Sequence, residues 1–538
     1  MVLGRIRIFR DVKIETPNVA LIDDERVPSE RAELFIRNGV FLDENKKEIQ
    51  LDSLELDLYS DLNDIVGSDL NDVEMKLYIV KDSLSMAKNP KLFARKILEL
   101  RKRVGTDPLI YCSGIGRINE IAPLVYCGVD LFDSLQCTIA SRNATLMNPS
   151  FMDTKETSFM DTKETDEKLF KENFDGVKNE IEVVKKAIKM GSLRELAEAR
   201  SLYDSSMNVF LREIDDEYST IEIFSPVRSS AKLKSLSTYS LTRPEFKRYR
   251  KKICELYRKP ESANVLLLLP CSAKKPYSFS RSHKLFIRNI RNRGGVHEVI
   301  VTSPLALVPR ELELFYPCAN YDIPVSGHWY EDEKTMIKNC LDEFLKRNGY
   351  ERAIVHFEDP FFLDVLKSHQ IECDITYEGK ATSPESLENL IKATSKIHVN
   401  GKNRSLEDIN SISNFQFGVR IFDESCKIGG KYPYQKVYRH KKQMAMLSPE
   451  RQMLSLTIDG AVALNEKTSD SNVEIEDFEL KGAVCAPGIL KASEMIREGD
   501  EAVLICNKKI KGIGVATMSG FEMNRAKRGV AIKVRHHL

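Results

Sequence analysis

Residues 265–283 read VLLLLPCSAKKPYSFSRSH: a short apolar run that empties into a loop holding one thiol, two lysines, four serines and a histidine. An unbroken apolar run of this length fits a strand covered on both faces, as in a parallel sheet, rather than one with a wet side. The segments downstream keep the same rhythm. KLFIRNIRNRGG (284–295) is followed by VHEVIVTSP (296–304), and ERAIVHFEDP (351–360) by FFLDVLKSHQIE (361–372). Strand, loop and helix alternate from 262 to about 395, which predicts a compact α/β domain with a parallel sheet.

A loop at the carboxyl edge of such a sheet is where open α/β folds bind ligands. The helix that follows is expected to start near Ser280 or Ser282, either of which can cap it. Its free N–H groups favour an anion or a developing negative charge. No acidic residue occurs from Pro270 to His297, while Lys274, Lys275, Arg281, Lys284, Arg288, Arg291 and Arg293 do. A helix N-terminus and nearby cations both lower a thiol pKa, so Cys271 is expected to be acidic. The pattern suggests a thiolate nucleophile or a phosphate cradle. Plainer roles compete: cysteine as packing, serines as caps, Lys275 as a surface lysine.

At 538 residues the chain is too long for one core, and three or four domains are expected. Lys and Arg (81) balance Asp and Glu (80), so nucleic-acid affinity has to be sought in local patches. No apolar run approaches the roughly 20 residues needed to span a bilayer, and the N-terminus does not read as a signal peptide. Eleven cysteines without a CxxC or CxC pair argue against a cysteine-rich zinc site and fit reduced thiols in a cytoplasm.

The first 150 residues are mixed α/β. PKLFARKILELRKRVG (90–105) has helical spacing and stops at a glycine, PLIYCSG (108–114) reads as a strand, and a helix near 117–127 and a strand at VDLF (129–132) follow. This rhythm is what part of a (β/α) barrel gives, with too few units for a full one. SFMDTKET at 150–157 recurs unchanged at 158–165 and is expected to be a solvated loop. Residues 166–215 are helical, with Gly191 between two periodic stretches. KYPYQKVYRHKKQ (431–443) interleaves Tyr432, Tyr434 and Tyr438 with Lys436, Arg439, Lys441 and Lys442, a mixture suited to base stacking and phosphate contact. From 456 onward short strands alternate with GD, GIG and RG turns, as in a small β-barrel. DSLELDLYSDLNDIVGSDLND (52–72) is acidic and is expected to face away from RNA.

PCSAKKPYSFSRSH resembles the PCSxxKPYSxSxSH signature of the archaeosine synthase family, and TSPLALVPRELE (302–313) and YDIPVSGHWYEDE (321–333) are similar to further blocks of it. VGTDPLIYCSGIGRINEIAPLVYCGVDLFDS (104–134) and KKAIKMGSLRELAEAR (185–200) look like tRNA-guanine transglycosylases. GAVCAPGIL, REGDEAVLI, KGIGVATMS and KRGVAIKVR look like a PUA domain, an RNA-binding β-barrel. The resemblance implies a multidomain α/β protein. A degenerate TIM-barrel-like domain (1–215, with the repeat loop at 150–165) precedes an α/β catalytic domain (240–400), a small α+β domain (401–455) and a PUA domain (456–538).

It also implies a transferase acting on 7-cyano-7-deazaguanine at position 15 in the D-arm of tRNA, whose nitrile becomes an amidine. The implied donor is free lysine, with a radical-SAM lyase partner completing the reaction; glutamine or ammonia stays open. Cys271, Lys275, Ser278 and His283 are the expected catalytic residues, with Cys271 forming a thioimidate and Lys275 or His283 protonating the nitrile nitrogen, unless His283 only braces the loop. Ser272, Tyr277, Ser280, Ser282, Trp329 and Asp133 are the expected substrate contacts. Trp329 either stacks on the base or fills the core. His328 shares its block, and His356, Glu358 and Asp359 follow a strand toward the same loop, with only a weak signal for metal. Lys436, Arg439, Lys441, Lys442, Arg525, Lys527 and Arg528 are the expected RNA contacts. No cofactor, resident metal or membrane partner is expected, and a homodimer stays open.

Asp133 falls on the transglycosylases' nucleophile position. Their second aspartate has no counterpart, and their zinc ligands, due between 147 and 172, are replaced by the octapeptide repeat and by Glu172-Asn173. Base exchange is therefore the weaker alternative. A non-catalytic tRNA-binding subunit is another.

Overall fold

The apolar run forms the strand Val265–Pro270, the middle of a five-stranded sheet ordered Ala306–Pro309, Val296–Thr302, Val265–Pro270, Arg352–Val355, Glu372–Ile375. In this computed structural model the described residues are 3–8, 14–22, 32–49, 51–58, 76–150, 152–154, 162–324, 329–399 and 403–538. Leu266, Leu267, Leu268 and Leu269 are fully buried, each worth roughly 1.5–3 kcal/mol relative to exposure. Four of the five strands are parallel. The expected all-parallel sheet is corrected at one edge, where Ala306–Pro309 runs antiparallel to Val296–Thr302. Thr302 pairs with Ala306 across a tight turn, and so short a connection cannot make the crossover a parallel strand requires.

The chain divides into two compact units, Met1–Ser225 and Pro226–Leu538. In the second, the helix Arg404–Phe417 is followed by a four-stranded antiparallel sheet of Cys426–Lys431, Tyr434–Arg439, Lys442–Leu447 and Leu454–Leu456. Leu268, Phe415, Leu454 and Val503 belong to one buried cluster, so these elements share a continuous core with the α/β sheet. His440 and Lys441 both have positive φ, +49° and +68°, between the paired residues Arg439 and Lys442. That is the two-residue turn whose twist suits a hairpin. The last six strands form one sheet with its own core around Val473, Val484, Leu504 and Ile532.

The first unit holds a seven-stranded sheet ordered Val40–Asp43, Leu34–Arg37, Asn18–Ile22, Leu131–Asp133, Leu109–Cys112, Lys76–Val80, Asp52–Leu56. All its pairings are parallel except Leu34–Arg37 with Val40–Asp43. The helix Pro90–Val104 ends at Gly105 with φ +77°, and Gly191 (φ +70°) parts the helices Thr162–Met190 and Leu193–Ser201. The octapeptide repeat is not simply a loop. Met152–Thr154, from the first copy, pairs with Thr145–Met147, and Thr162 in the second copy begins a 29-residue helix. The rest of the repeat, and most of the acidic stretch, lie outside the described residues. Among the described residues no helix is long and apolar enough to cross a membrane.

Candidate active site

Past Pro270 the chain makes a loop, a 3-10 turn at Tyr277–Phe279 and the helix Arg281–Asn289. Ser280 is the cap: its hydroxyl accepts the His283 N–H at 3.2 Å, and Ser282 Oγ lies 3.4 Å from Ser280 Oγ. The buried Ser280 thus anchors a helix end. Tyr277, another expected substrate contact, is more deeply set. It is 0% exposed, and its hydroxyl bonds to that of Tyr321, which also meets Thr302 Oγ1 at 2.7 Å.

Arg310 organises the underside of the loop. Its guanidinium donates to Glu298 (2.9 Å), to Glu313 (3.1 Å) and to His283 Nδ1 (2.8 Å). An arginine can only donate, so Nδ1 accepts and His283 Nε2–H donates to the Pro270 carbonyl at 3.0 Å. Burial, and then Arg310, lower the His283 pKa to about 3. Both ring nitrogens of His283 are thereby tied into the frame, between Arg310 and the end of the strand. Burial alone would raise the Glu298 pKa, but Arg310 and Arg293 outweigh it and hold the carboxyl at about 2. Ser278 gives both its N–H (2.8 Å) and its hydroxyl to Glu313. These bonds fix the position of the loop. Tyr432, at the turn of the 426–439 hairpin, donates its hydroxyl to the same carboxylate.

Above this frame lie Cys271 and Lys275, both half-buried. The expectation of an acidic thiol is overturned: burial raises the Cys271 pKa, while Lys275 and a hydrogen bond with Thr302 pull it only part of the way back. Burial lowers the Lys275 pKa, partly offset by Cys271 and Asp322. Its Nζ lies 4.1 Å from the centre of the Tyr321 ring. The thiol is thus less acidic, and the amine less basic, than in water. Ser272, half-buried at the mouth of the loop, bonds to the Lys274 carbonyl at 3.1 Å. Trp329 is half-buried with its ring centre 5.8 Å from that of Phe361 and 6.4 Å from that of Phe357. His328 lies outside the described residues. His356 is buried, with ring nitrogens on Thr376 (2.9 Å) and the Ala381 carbonyl (2.7 Å), so it is structural; Glu358 and Asp359 are exposed.

In the first unit Asp133 is 1% exposed. Its carboxylate accepts from Tyr111 (2.7 Å), Ser113 (3.3 Å), the Gly114 N–H (2.7 Å) and the Leu135 N–H (2.8 Å). Oδ2 takes three of these bonds and Oδ1 one, and the carboxyl is closed from solvent. Asn173 holds the Thr145–Thr154 hairpin instead of a metal, accepting from Met147 N–H (2.7 Å) and donating to the Thr145 carbonyl (2.9 Å). Among the described residues no group of three or more His, Cys, Asp or Glu side chains is placed to hold a metal ion.

The basic residues separate in space. Lys441 and Lys442 are exposed at one end of the hairpin strands and Tyr432 sits at the other, about 20 Å away for six residues of strand. Lys436 is half-buried between them. Arg439 pairs with Asp423 at 2.7 Å, and Lys442 approaches Asp459 at 3.7 Å. In the last domain Lys527 is exposed and Arg528 half-buried, while Arg525 stacks 3.7 Å over the Phe521 ring.

The residues missed from sequence are Thr302, Arg310, Glu313 and Tyr321. Their blocks had been matched, and the signal available was charge, RELE, placed directly after the apolar LALVP.

Residues 246–394 match a domain of unknown function, DUF5591, and residues 472–538 match the PUA domain. The chain is 33% identical to archaeosine synthase subunit alpha of Methanosarcina acetivorans, covering 86% of this chain and 79% of that one. It is 34% identical to the protein of the same name from Thermoplasma acidophilum, covering 86% and 88%. A tRNA-guanine(15) transglycosylase of Methanobrevibacter smithii is 26% identical over 66% of this chain and 52% of its own. With a PUA domain, the thiol–amine loop and this extent of likeness, the chain belongs to the archaeosine synthase family.

Proposed function

We propose that this chain acts in the cytoplasm as an archaeosine synthase, adding an amine to the nitrile of 7-cyano-7-deazaguanine at position 15 of tRNA. The observation that carries the reading is the loop leaving the central strand Val265–Pro270, which holds both the Cys271 thiol and the Lys275 amine half-buried. The Cys271 proton passes to the Lys275 amine as sulfur bonds to the nitrile carbon, and Lys275 returns the proton to the nitrile nitrogen, giving a thioimidate. The donor amine then adds to the same carbon, the C–S bond breaks, and the thiolate takes up the proton released by the new C–N bond. The product is the amidine. Ser272 and Trp329, at the rim, contact the base.

Lysine is the donor we favour, and a radical-SAM lyase cleaves its adduct. The words "subunit alpha" in the names of relatives support a second subunit. Arg525, Lys527 and Arg528 of the PUA domain, with Lys436, Arg439, Lys441 and Lys442, hold the tRNA. The seven-stranded sheet of the first unit is the remnant of a transglycosylase barrel. Domains at 1–215, 240–400, 401–455 and 456–538 divide these tasks.

The test is purified protein with tRNA carrying the cyano base and isotope-labelled lysine, followed by mass spectrometry of the nucleosides. A lysine-sized adduct is expected. Turnover with labelled glutamine or ammonia but not lysine overturns the donor, and tight tRNA binding without any turnover overturns the enzyme in favour of a binding subunit.

A further inference from the structure

Residues 226–231 form a strap pinned at both ends. Val227 N–H donates to the Glu498 carbonyl at 2.8 Å, and the Asn320 side chain donates to the carbonyls of Ser229 (2.9 Å) and Ala231 (2.7 Å). Gly499 lets the strap lie this close. Its φ is +98°, and a Cβ there would meet Arg228 Cβ at 3.0 Å and Arg228 N at 3.2 Å.

The strap presents Arg228 to an open groove of about 490 Å³, which Arg451, Lys533 and Arg535 also line, with Glu498 its one lining carboxylate. Arg535 is neutralised by Glu501 behind it, at 2.8 Å. Among the described residues Arg228 donates to the Glu450 carbonyl alone, at 3.0 Å. Among the described residues no carboxylate forms an ion pair with Arg451 or Lys533. The cations are close enough to repel: burial and then Arg451 lower the Arg228 pKa, and burial and then Arg535 lower that of His536, with Glu501 offsetting part of each. Like charges held together in a fixed frame are a site for an anion that the protein does not itself supply.

We propose that this groove binds successive phosphates of an RNA backbone, clamping the RNA between the PUA domain and the strap. The assignment rests on the tRNA reading above. It goes beyond that reading because Arg228 and Arg451 lie outside the matched PUA residues 472–538. RNA gripped here is held by the PUA domain and by the α/β body at once, which fixes its register relative to the Cys271 loop. Two guanidiniums and a lysine along an open groove suit a chain of phosphodiesters better than a single enclosed ion.

The test is tRNA binding by fluorescence anisotropy across a salt series, with wild type, Arg451→Gln and the double variant Arg228→Gln/Arg451→Gln. Affinity is expected to fall about 5-fold in the single variant and about 30-fold in the double, whose salt slope flattens by about 1.4–1.8, the value for two phosphates. If the double variant melts early, Arg451→Gln decides alone, since its guanidinium holds no protein carboxylate. Wild-type tRNA binding with unchanged affinity and slope in both variants overturns the groove and leaves the tRNA reading standing. Failure of wild type to bind tRNA overturns both. Occupancy by inorganic phosphate without any effect of the variants on tRNA assigns the groove to a free anion and overturns the RNA proposal.

Discussion

Two strands in two mostly parallel sheets end in residues fit for nucleophilic chemistry: Leu131–Asp133 in Asp133, and Val265–Pro270 just before Cys271. Position in the fold is nearly the same. What differs is how the surrounding protein treats the reactive atom. Asp133 accepts four hydrogen bonds from its own neighbours and is closed from solvent. Cys271 stays half-buried, with an amine as its strongest partner. Of the carboxylates of the second site, Glu313 also accepts four hydrogen bonds and Glu298 holds two arginines, and both anchor the loop. A strand end becomes reactive when its scaffold is saturated and its nucleophile is not.

The largest expected effect separates the two ends directly. Cys271→Ala is expected to lower adduct formation about 10³-fold, and Lys275→Ala about 10²–10³-fold, in line with loss of a nucleophile or of its proton carrier. Asp133→Asn is expected to change the rate less than about 3-fold while lowering the melting temperature, because a donor replaces an acceptor among four donors. Abolished turnover in Asp133→Asn with tRNA affinity intact would break the comparison.

Next in size is the saturated scaffold. Glu313→Ala leaves the buried Arg310 short of a partner and frees Ser278, a loss of about 3–5 kcal/mol, to be read as a lower thermal midpoint with slower adduct formation. Acid should show the same frame. His283 and Glu298 both have lowered folded pKa values, so each contributes stability that is present above its unfolded pKa. That of His283 is lost as pH falls from about 6.5 toward about 3, and that of Glu298 from about 4.3 toward about 2. Glu298→Gln should flatten the lower part of the acid-unfolding curve, and an unchanged curve contradicts the frame.

The smallest effect belongs to the far end of the hairpin. Lys441→Ala is expected to weaken tRNA binding about 2-fold and to reduce the salt slope by about 0.7–0.9, one phosphate, without altering the rate at saturating tRNA.

Local features were legible. The run VLLLL announces the central strand, Ser280 the cap, and Gly105 and Gly191 the helix ends, because each depends on neighbours within a turn. The antiparallel edge strand was not, since LALVP is as apolar as its parallel neighbours and only the tight turn before it decides direction. Glu313 lies 35 residues from Ser278, a pairing no local pattern shows. The protonation of Cys271 and His283 follows from burial, which spacing does not report. KYPYQKVYRHKKQ looked like one mixed patch, but its strand carries Tyr432 and Lys441 to opposite ends.

The most direct measurement is to incubate the enzyme with tRNA carrying the cyano base and no amine donor, digest it, and search for a covalent base–peptide adduct by mass spectrometry. A thioimidate on the peptide containing Cys271, discharged by added lysine and missing from Cys271→Ala, is the expected result. Full-rate lysine transfer by Cys271→Ala, with no adduct in wild type, contradicts it and leaves direct attack by the amine.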